Sequence, residues 1–322
     1  MGLRSYVLKK LLIMIPLILG VMAFNFVLIH AAPGGPLTTF DNPRLPAATR
    51  LAILRQFGLD QPLYVQFYLY LSNLFHGNLG QSFYQGLPVI TIIEQKLPAT
   101  ILLTGTSTIV SILIGVPLGV LAATKPHSIA DRLVSGISIF GYSIPVFWLG
   151  IMLLEVFSVY FRWLPSSGIH SLNAPTDFFG STLDLLEHMV LPVTTLTIVS
   201  LAPFALFTRA GMIEALRKDY ILTAKAKGAG HARILFRHAL RNGILSVFTV
   251  IGLSLAFVVA GAVLVETVFS WPGIGLLLYQ TILQRDYPVL LGTFLIIAMS
   301  VFVINLITDI VYAFLDPRIT LD

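Results

Sequence analysis

Apolar positions along the chain gather into long blocks, each about twenty residues or more, and polar positions gather between them. Twenty helical residues at roughly 1.5 Å each cross a hydrocarbon core about 30 Å thick. Six blocks are predicted as spanning helices: Leu11–Ala31, Ala99–Ala123, Leu133–Phe161, His188–Thr208, Ile244–Phe269 and Val289–Phe314. Charges, prolines or glycines bound each of them. The first follows Arg4, Lys9 and Lys10. A secretory signal is the rival reading there, but its apolar region usually runs only about 7 to 15 residues. The expected fold class is therefore all-α, a polytopic membrane protein with six transmembrane helices.

The connections set orientation and domain organisation. Lysine and arginine are retained on the cytoplasmic side of short loops. Arg4, Lys9 and Lys10, then Lys125 and Arg132, then the basic run from Arg209 to Arg241, then Arg318, all fall on one side; the short loops opposite hold only Arg162 and Arg285. Both termini are thus expected in the cytoplasm. Residues 1–31 form the N-terminus and first helix, 32–98 an extracytoplasmic segment, and 99–322 a five-helix core carrying an inner loop at 209–243. The outer segment opens on Pro33-Gly34-Gly35-Pro36, shows helical patterning through Leu51, Leu54 and Phe57, and bears an aromatic run at Phe67, Tyr68 and Tyr70. It reads as a folded element on the outer face, either an interfacial helix with aromatics at headgroup depth or a docking surface. The inner segment alternates bases with Ile221, Leu222, Ala224 and Ala226, then Gly228-Ala229-Gly230, then Ile234, Leu235 and Phe236. Two short helices around a glycine hinge fit this pattern. A basic loop on anionic lipid is one reading; the small residues point instead to close approach by a protein partner.

Composition narrows the function classes. Mean hydropathy is +0.88, and only 11% of the 322 residues are charged, against about 25% in a soluble domain. No cysteine is present, which removes disulfides, thiol nucleophiles and thiolate metal sites. The net charge of +5 sits beside apolar spans and lacks the aromatic platforms of single-strand binders, so no nucleic-acid partner is expected. No glycine-rich phosphate loop ending in Gly-Lys-Ser/Thr occurs, and the 7 histidines are scattered. Ser166-Ser167-Gly168 near His170 reads as a turn rather than a nucleophile. Carboxylates within spans are costly and usually face a cavity or a partner; Glu155 falls deep in the third span, Glu266 near the outer end of the fifth, and Asp309 near the inner end of the sixth. Glu155 is either a pathway group or a carboxyl packed between helices. Serines and threonines are plentiful in the spans, Thr104, Thr106, Ser107, Thr108 and Ser111 in the second, Ser135, Ser138 and Ser143 in the third, and Thr194, Thr195, Thr197 and Ser200 in the fourth; they allow close helix packing, and a fraction could line a wet path. Pro117, Pro145, Pro192 and Pro203 suggest kinks.

Several separated motifs then occur in order: Phe57-Gly58-Leu59-Asp60-Gln61-Pro62-Leu63, Gly77-Asn78-Leu79-Gly80-Gln81-Ser82, Leu97-Pro98-Ala99-Thr100, Thr223-Ala224-Lys225-Ala226-Lys227-Gly228, His238-Ala239-Leu240-Arg241-Asn242, and Val265-Glu266-Thr267-Val268-Phe269-Ser270-Trp271-Pro272-Gly273-Ile274-Gly275. On these the chain resembles, nearly end to end, the permease subunits of binding-protein-dependent ABC importers, in the dipeptide, oligopeptide and nickel branch. The resemblance implies a type I ABC importer permease architecture in a bacterial or archaeal cytoplasmic membrane, working by alternating access. It implies an ATPase-coupling loop at Thr223, Ala224, Lys225, Ala226, Lys227, Gly228, His238 and Leu240. Only Ala224, Gly228 and Leu240 agree with that loop's general form; the remainder looks like the peptide branch's own version. It places Glu266 and Trp271 at the outer end of the pore, and Glu155 stays a pathway candidate. The implied partners are a second homologous permease, two cytoplasmic ATPase subunits, an extracytoplasmic solute-binding protein and membrane lipid. No cofactor is expected in this chain, ATP and magnesium being bound by the ATPases. Nickel chelates or another small polar solute are alternatives to peptides, and an ion-coupled secondary transporter is the alternative from another class.

Overall fold

The computed structural model describes residues 3–31, 58 and 60–315. The Pro33–Pro36 turn and the patterned stretch from Leu51 to Phe57 lie outside the described residues. Among the described residues there is no strand, only an isolated bridge between Gln81 and Pro88. Four helices are long and apolar enough to cross a membrane, and two bent helix pairs bring the number to six if each pair is one span. The chain divides into two compact units, residues 1–98 with 276–322, and residues 99–275.

In the first unit, α1 (Leu3–Ala31) packs along α12 (Tyr287–Leu315). Both are almost wholly apolar, so the polar atoms they do carry must find each other. Asp309 of α12 accepts a hydrogen bond from Tyr6 Oη at 2.9 Å and pairs with Lys10 Nζ at 3.0 Å, while Lys10 lies 5.5 Å from the centre of the Tyr6 ring. The span-embedded carboxylate expected at Asp309 is thus matched by two groups of the first helix. At the other end of α1, the aromatic run of α2 (Leu63–Phe75) splits by face. Phe67 and Tyr70 approach Phe26 with ring centres 5.1 and 6.3 Å away, whereas Tyr64, Tyr68 and Phe75 are exposed. His30 joins the same contact through Gln66 at 3.2 Å. Burial pushes the Tyr70 hydroxyl up to about 12. Buried Asp286 accepts from the Ser82 hydroxyl and from Phe83 N at 3.1 Å, which ties the 80–85 turn to the start of α12.

The second unit is built on α6 (Phe178–Leu216). Its 39 residues extend about 58 Å at 1.5 Å per residue, nearly twice a hydrocarbon core. It therefore projects beyond the apolar layer and carries its end into the basic segment. Against it pack α4 (Ile129–Ser143), α5 (Val146–Leu154), α8 (His231–Gly243) and α9 (Leu245–Val258). α3 (Val89–Thr124) reaches it by way of Gly115 and Gly119. A Cβ at Gly115 would lie 2.8 Å from the Phe204 side chain, and one at Gly119 would run into Ala205 O and Thr208. One turn apart on one face, these glycines let the two backbones meet as small-residue pairs do in membranes.

Two predicted spans are broken. The third bends by 94° between α4 and α5. Ile144 is extended at φ −75°, ψ 130°, the conformation that the ring of a following proline imposes. After Leu154 the chain widens into π-helical turns from Glu155 to Tyr160. The fifth stops at Val258 and resumes as α10 (Val263–Val268), with Gly261 at φ +78° between them. Of the four prolines expected to kink spans, only Pro145 sits at a break; Pro117, Pro192 and Pro203 lie inside helices that continue through them, which packing against neighbouring helices permits.

Candidate functional site

The basic segment folds as the glycine spacing predicts. α7 (Asp219–Ala226) is followed by a turn at Lys227–Gly230 and then by α8. The turn closes the helix with two reverse bonds, Gly228 N to Lys225 O at 2.9 Å and Ala229 N to Ala224 O at 3.1 Å. This is the Schellman arrangement, which requires a left-handed residue between them. Gly228 supplies it at φ +77°.

One face of this hairpin is fixed. Ile221, Ile234, Leu235 and Ala239 are buried with Val120 and Ala123 of α3 and with Met212 and Ala215 of α6. Ala224 is buried too. The other face is open: Thr223, Lys225, Ala226, Lys227 and Gly228 are exposed, as are Leu222 at 63% and Phe236 at 62%. His238 and Leu240 are half-buried behind them. A Cβ at Gly228 would meet nothing within 4 Å. The space beside this glycine is therefore free, and packing within the chain does not require it to be small. The arrangement is a lever, with its root in the ends of two long helices and an apolar rim set among bases.

The root is braced by a contact that the sequence does not display. Asp131, buried at the start of α4, accepts from Arg209 of α6 through both Nε and Nη2, the latter at 2.8 Å, and from His127 N at 2.8 Å. Fork-to-fork pairing of this kind fixes orientation as well as contributing energy. Its only local signal is the cap, Ser128 accepting from Asp131 N at 3.3 Å. A second group that sequence reasoning missed is Asp184, buried near the start of α6. It lies 2.9 Å from His170 Nδ1 and 3.6 Å from His188 Nδ1, and accepts from Ser171 N.

Glu266 and Trp271 come together, away from the lever. Glu266 is fully buried and accepts from the Thr100 hydroxyl at 3.0 Å and from Ala262 N at 3.3 Å. Thr100 in turn accepts from Ile274 N at 2.6 Å, and Trp271, also fully buried, donates from Nε1 to Ala99 O at 2.8 Å. Three glycines close on the carboxylate. A Cβ at Gly273 would strike Glu266 Oε2 and Thr100 Oγ1, one at Gly275 would lie 2.9 Å from Oε2, and one at Gly261 would lie 3.1 Å from Oε1. A buried carboxylate needs donors on its oxygens to be tolerated, and here they come from the start of the first predicted core span and from the break in the fifth. The motif thus pins α3 to the interrupted helix. Glu155 is not part of this cluster; it is exposed at the first π-helical turn.

The comparisons agree with one another. The family described as binding-protein-dependent transport system inner membrane component matches residues 115–321, and the N-terminal family of the same systems matches residues 3–104. Among curated relatives, the oligopeptide transport system permease protein AppB of Bacillus subtilis is 40% identical over 98% of this chain and 99% of the relative. The di/tripeptide transport system permease protein DppB of Pseudomonas aeruginosa is 39% identical over 98% of each. Among solved structures, the methionine ABC transporter MetNI in inward-facing conformations covers 70% of this chain and 96% of that chain with a TM-score of 0.56 at 19% identity, a likeness of fold. The chain belongs to the family of binding-protein-dependent transport system inner membrane components: it is a polytopic permease subunit of an ABC importer.

Proposed function

We propose that this permease carries short peptides inward across the cytoplasmic membrane, as one of two related permeases joined to two ATPase subunits and served by an extracytoplasmic solute-binding protein. The observation that carries the reading is the lever: a hairpin rooted in the ends of α3 and α6, with Thr223 and the stretch from Lys225 to Gly228 exposed beside Leu222 and Phe236. An exposed face of small, apolar and basic residues with free space at Gly228 suits a cleft in a neighbouring subunit. ATP-driven closure of the ATPases pushes on this rim, and the long helices pass the displacement to the other side of the membrane. ATP hydrolysis belongs to those subunits, and this chain works without a cofactor of its own. The termini and the lever lie in the cytoplasm by the distribution of lysine and arginine.

Peptides are the preferred solute because the relatives named above are permeases of oligopeptide and di/tripeptide systems. The experiment is ATP-dependent uptake of a labelled dipeptide by vesicles holding this chain with its partner subunits. Uptake that requires ATP and the binding protein supports the reading; uptake of a nickel chelate but of no peptide would redirect it.

A further inference from the structure

Within residues 99–275, a cavity of about 310 Å3 opens between α3, α6 and α9, near the small end of ligand pockets, which hold roughly 300 to 1,000 Å3. Its polar lining is hydroxyl only: Thr104, Ser107 and Thr108 from α3, Ser200 from α6 and Ser254 from α9, with no ionisable side chain. The α3 hydroxyls are oriented. Thr104 Oγ1 lies 2.7 Å from both Thr100 O and Val258 O, Ser107 donates to Leu103 O at 2.7 Å, and Thr108 donates to Thr104 O at 2.8 Å. A hydroxyl has one hydrogen and two lone pairs, so with the hydrogens committed to carbonyls these groups line the cavity with acceptor capacity and no donor to spare.

The broken fifth helix adds to this bias. α9 stops at Val258, and Phe257, Val258 and Gly261 line the same cavity. At this end Phe257 O accepts from Ala260 N at 3.1 Å and Val258 O lies 2.7 Å from Thr104 Oγ1, and the terminus still carries the negative end of the helix dipole, about half an elementary charge. Acceptor hydroxyls and a helix C-terminus on one cavity suit a small cation with several N–H donors and disfavour an anion.

We infer that this cavity receives the primary ammonium end of the solute during passage, with Ser107, Thr108 and Ser254 as acceptors, and that it discriminates against blocked or anionic ends. An ammonium has three donors and no acceptor, matching a wall that offers oxygens and no formal charge. The inference rests on the importer reading above and assigns that reading a chemical polarity.

The chain has no cysteine, so one introduced thiol reports its own surroundings. In membranes holding the assembled transporter, Leu196→Cys and, separately, Leu253→Cys are treated with 2-aminoethyl methanethiosulfonate or its anionic 2-sulfonatoethyl counterpart. Modification is followed as the mass shift of this chain, and each rate is divided by that of free cysteine. The cationic reagent is expected to be favoured about tenfold after this correction, the factor that a charge-assisted hydrogen bond supplies. Alanyl-alanine should slow the reaction and N-acetyl-alanyl-alanine should not. Adding Thr108→Val with Ser254→Ala should abolish both preferences. Equal corrected rates, equal protection by the two peptides, or no modification at either position would each overturn the inference. Peptide uptake by the unaltered chain with its partners tests the importer reading separately, and its result does not depend on the labelling.

Discussion

Gly228 has a left-handed backbone and open space where a side chain would go, so two substitutions there separate strain from bulk. Alanine and tryptophan both bear the conformational cost, roughly 1–2 kcal/mol, but only tryptophan fills the volume beside the rim. Gly228→Ala is expected to keep most ATP-dependent peptide uptake, and Gly228→Trp to lose more than about tenfold, with equal amounts of both in the membrane by immunoblot. Similar uptake by the two variants would remove the rim from the coupling site. The Asp131–Arg209 pair gives a second test. Removing one partner of a buried pair leaves the other uncompensated and costs about 3–5 kcal/mol, whereas replacing both by apolar groups is often close to neutral. Arg209→Met is therefore expected to lower the detergent melting temperature by several degrees, and Arg209→Met with Asp131→Leu to recover most of the loss; additive losses would show that the pair is not one unit. These residues differ in legibility. Gly228-Ala229-Gly230 after a short helix announces its turn because the left-handed requirement is local. Asp131 and Arg209 are 78 residues apart, and each alone reads as an ordinary charge at a helix end.

Helices in this chain meet through absent side chains and unmatched backbone as much as through apolar contact. The α3–α6 contact at Gly115 and Gly119 leaves no room for a branched residue. Gly119→Leu should force the helices apart and reduce the folded yield severalfold, while Gly119→Ala should produce a milder loss, since overpacking costs about 1–3 kcal/mol; fluorescence-detected size exclusion measures both. Normal yield for the leucine variant would mean that the two helices do not approach so closely. The Glu266 cluster is tested in the same assay. Glu266→Leu leaves the Thr100 hydroxyl and Ala262 N–H without this acceptor, at about 1–3 kcal/mol each, so it is expected to be less stable than Glu266→Gln, which retains a carbonyl. Hydropathy located the spans because twenty apolar residues have few other uses. It did not show that the third and fifth are broken: Pro145 signalled a kink in the third, whereas Val259–Ala262 carry no polar side chain and the interruption of the fifth lies in backbone angles. Nor did it show that α6 overruns its apolar block at both ends, since those added turns carry the charges by which a span is judged to end.

For the whole molecule, the order of motifs carried the family and the branch without any fold being needed. The outer-end residues were harder to read: Glu266 and Trp271 look like pathway groups in a sequence, yet both are fully buried in a hydrogen-bonded cluster. The chain has many exposed apolar side chains and a hairpin with one open face, both of which fit a subunit that works in an assembly. The most direct test of that account is to solubilise the chain from cells expressing it at its native level, purify it, and identify by mass spectrometry what accompanies it, with Gly228→Trp in parallel. The account predicts a second permease and ATPase subunits with the unaltered chain, and retention of the permease with loss of the ATPases for Gly228→Trp. Recovery of the chain alone, moving peptide into liposomes without ATP, would contradict it.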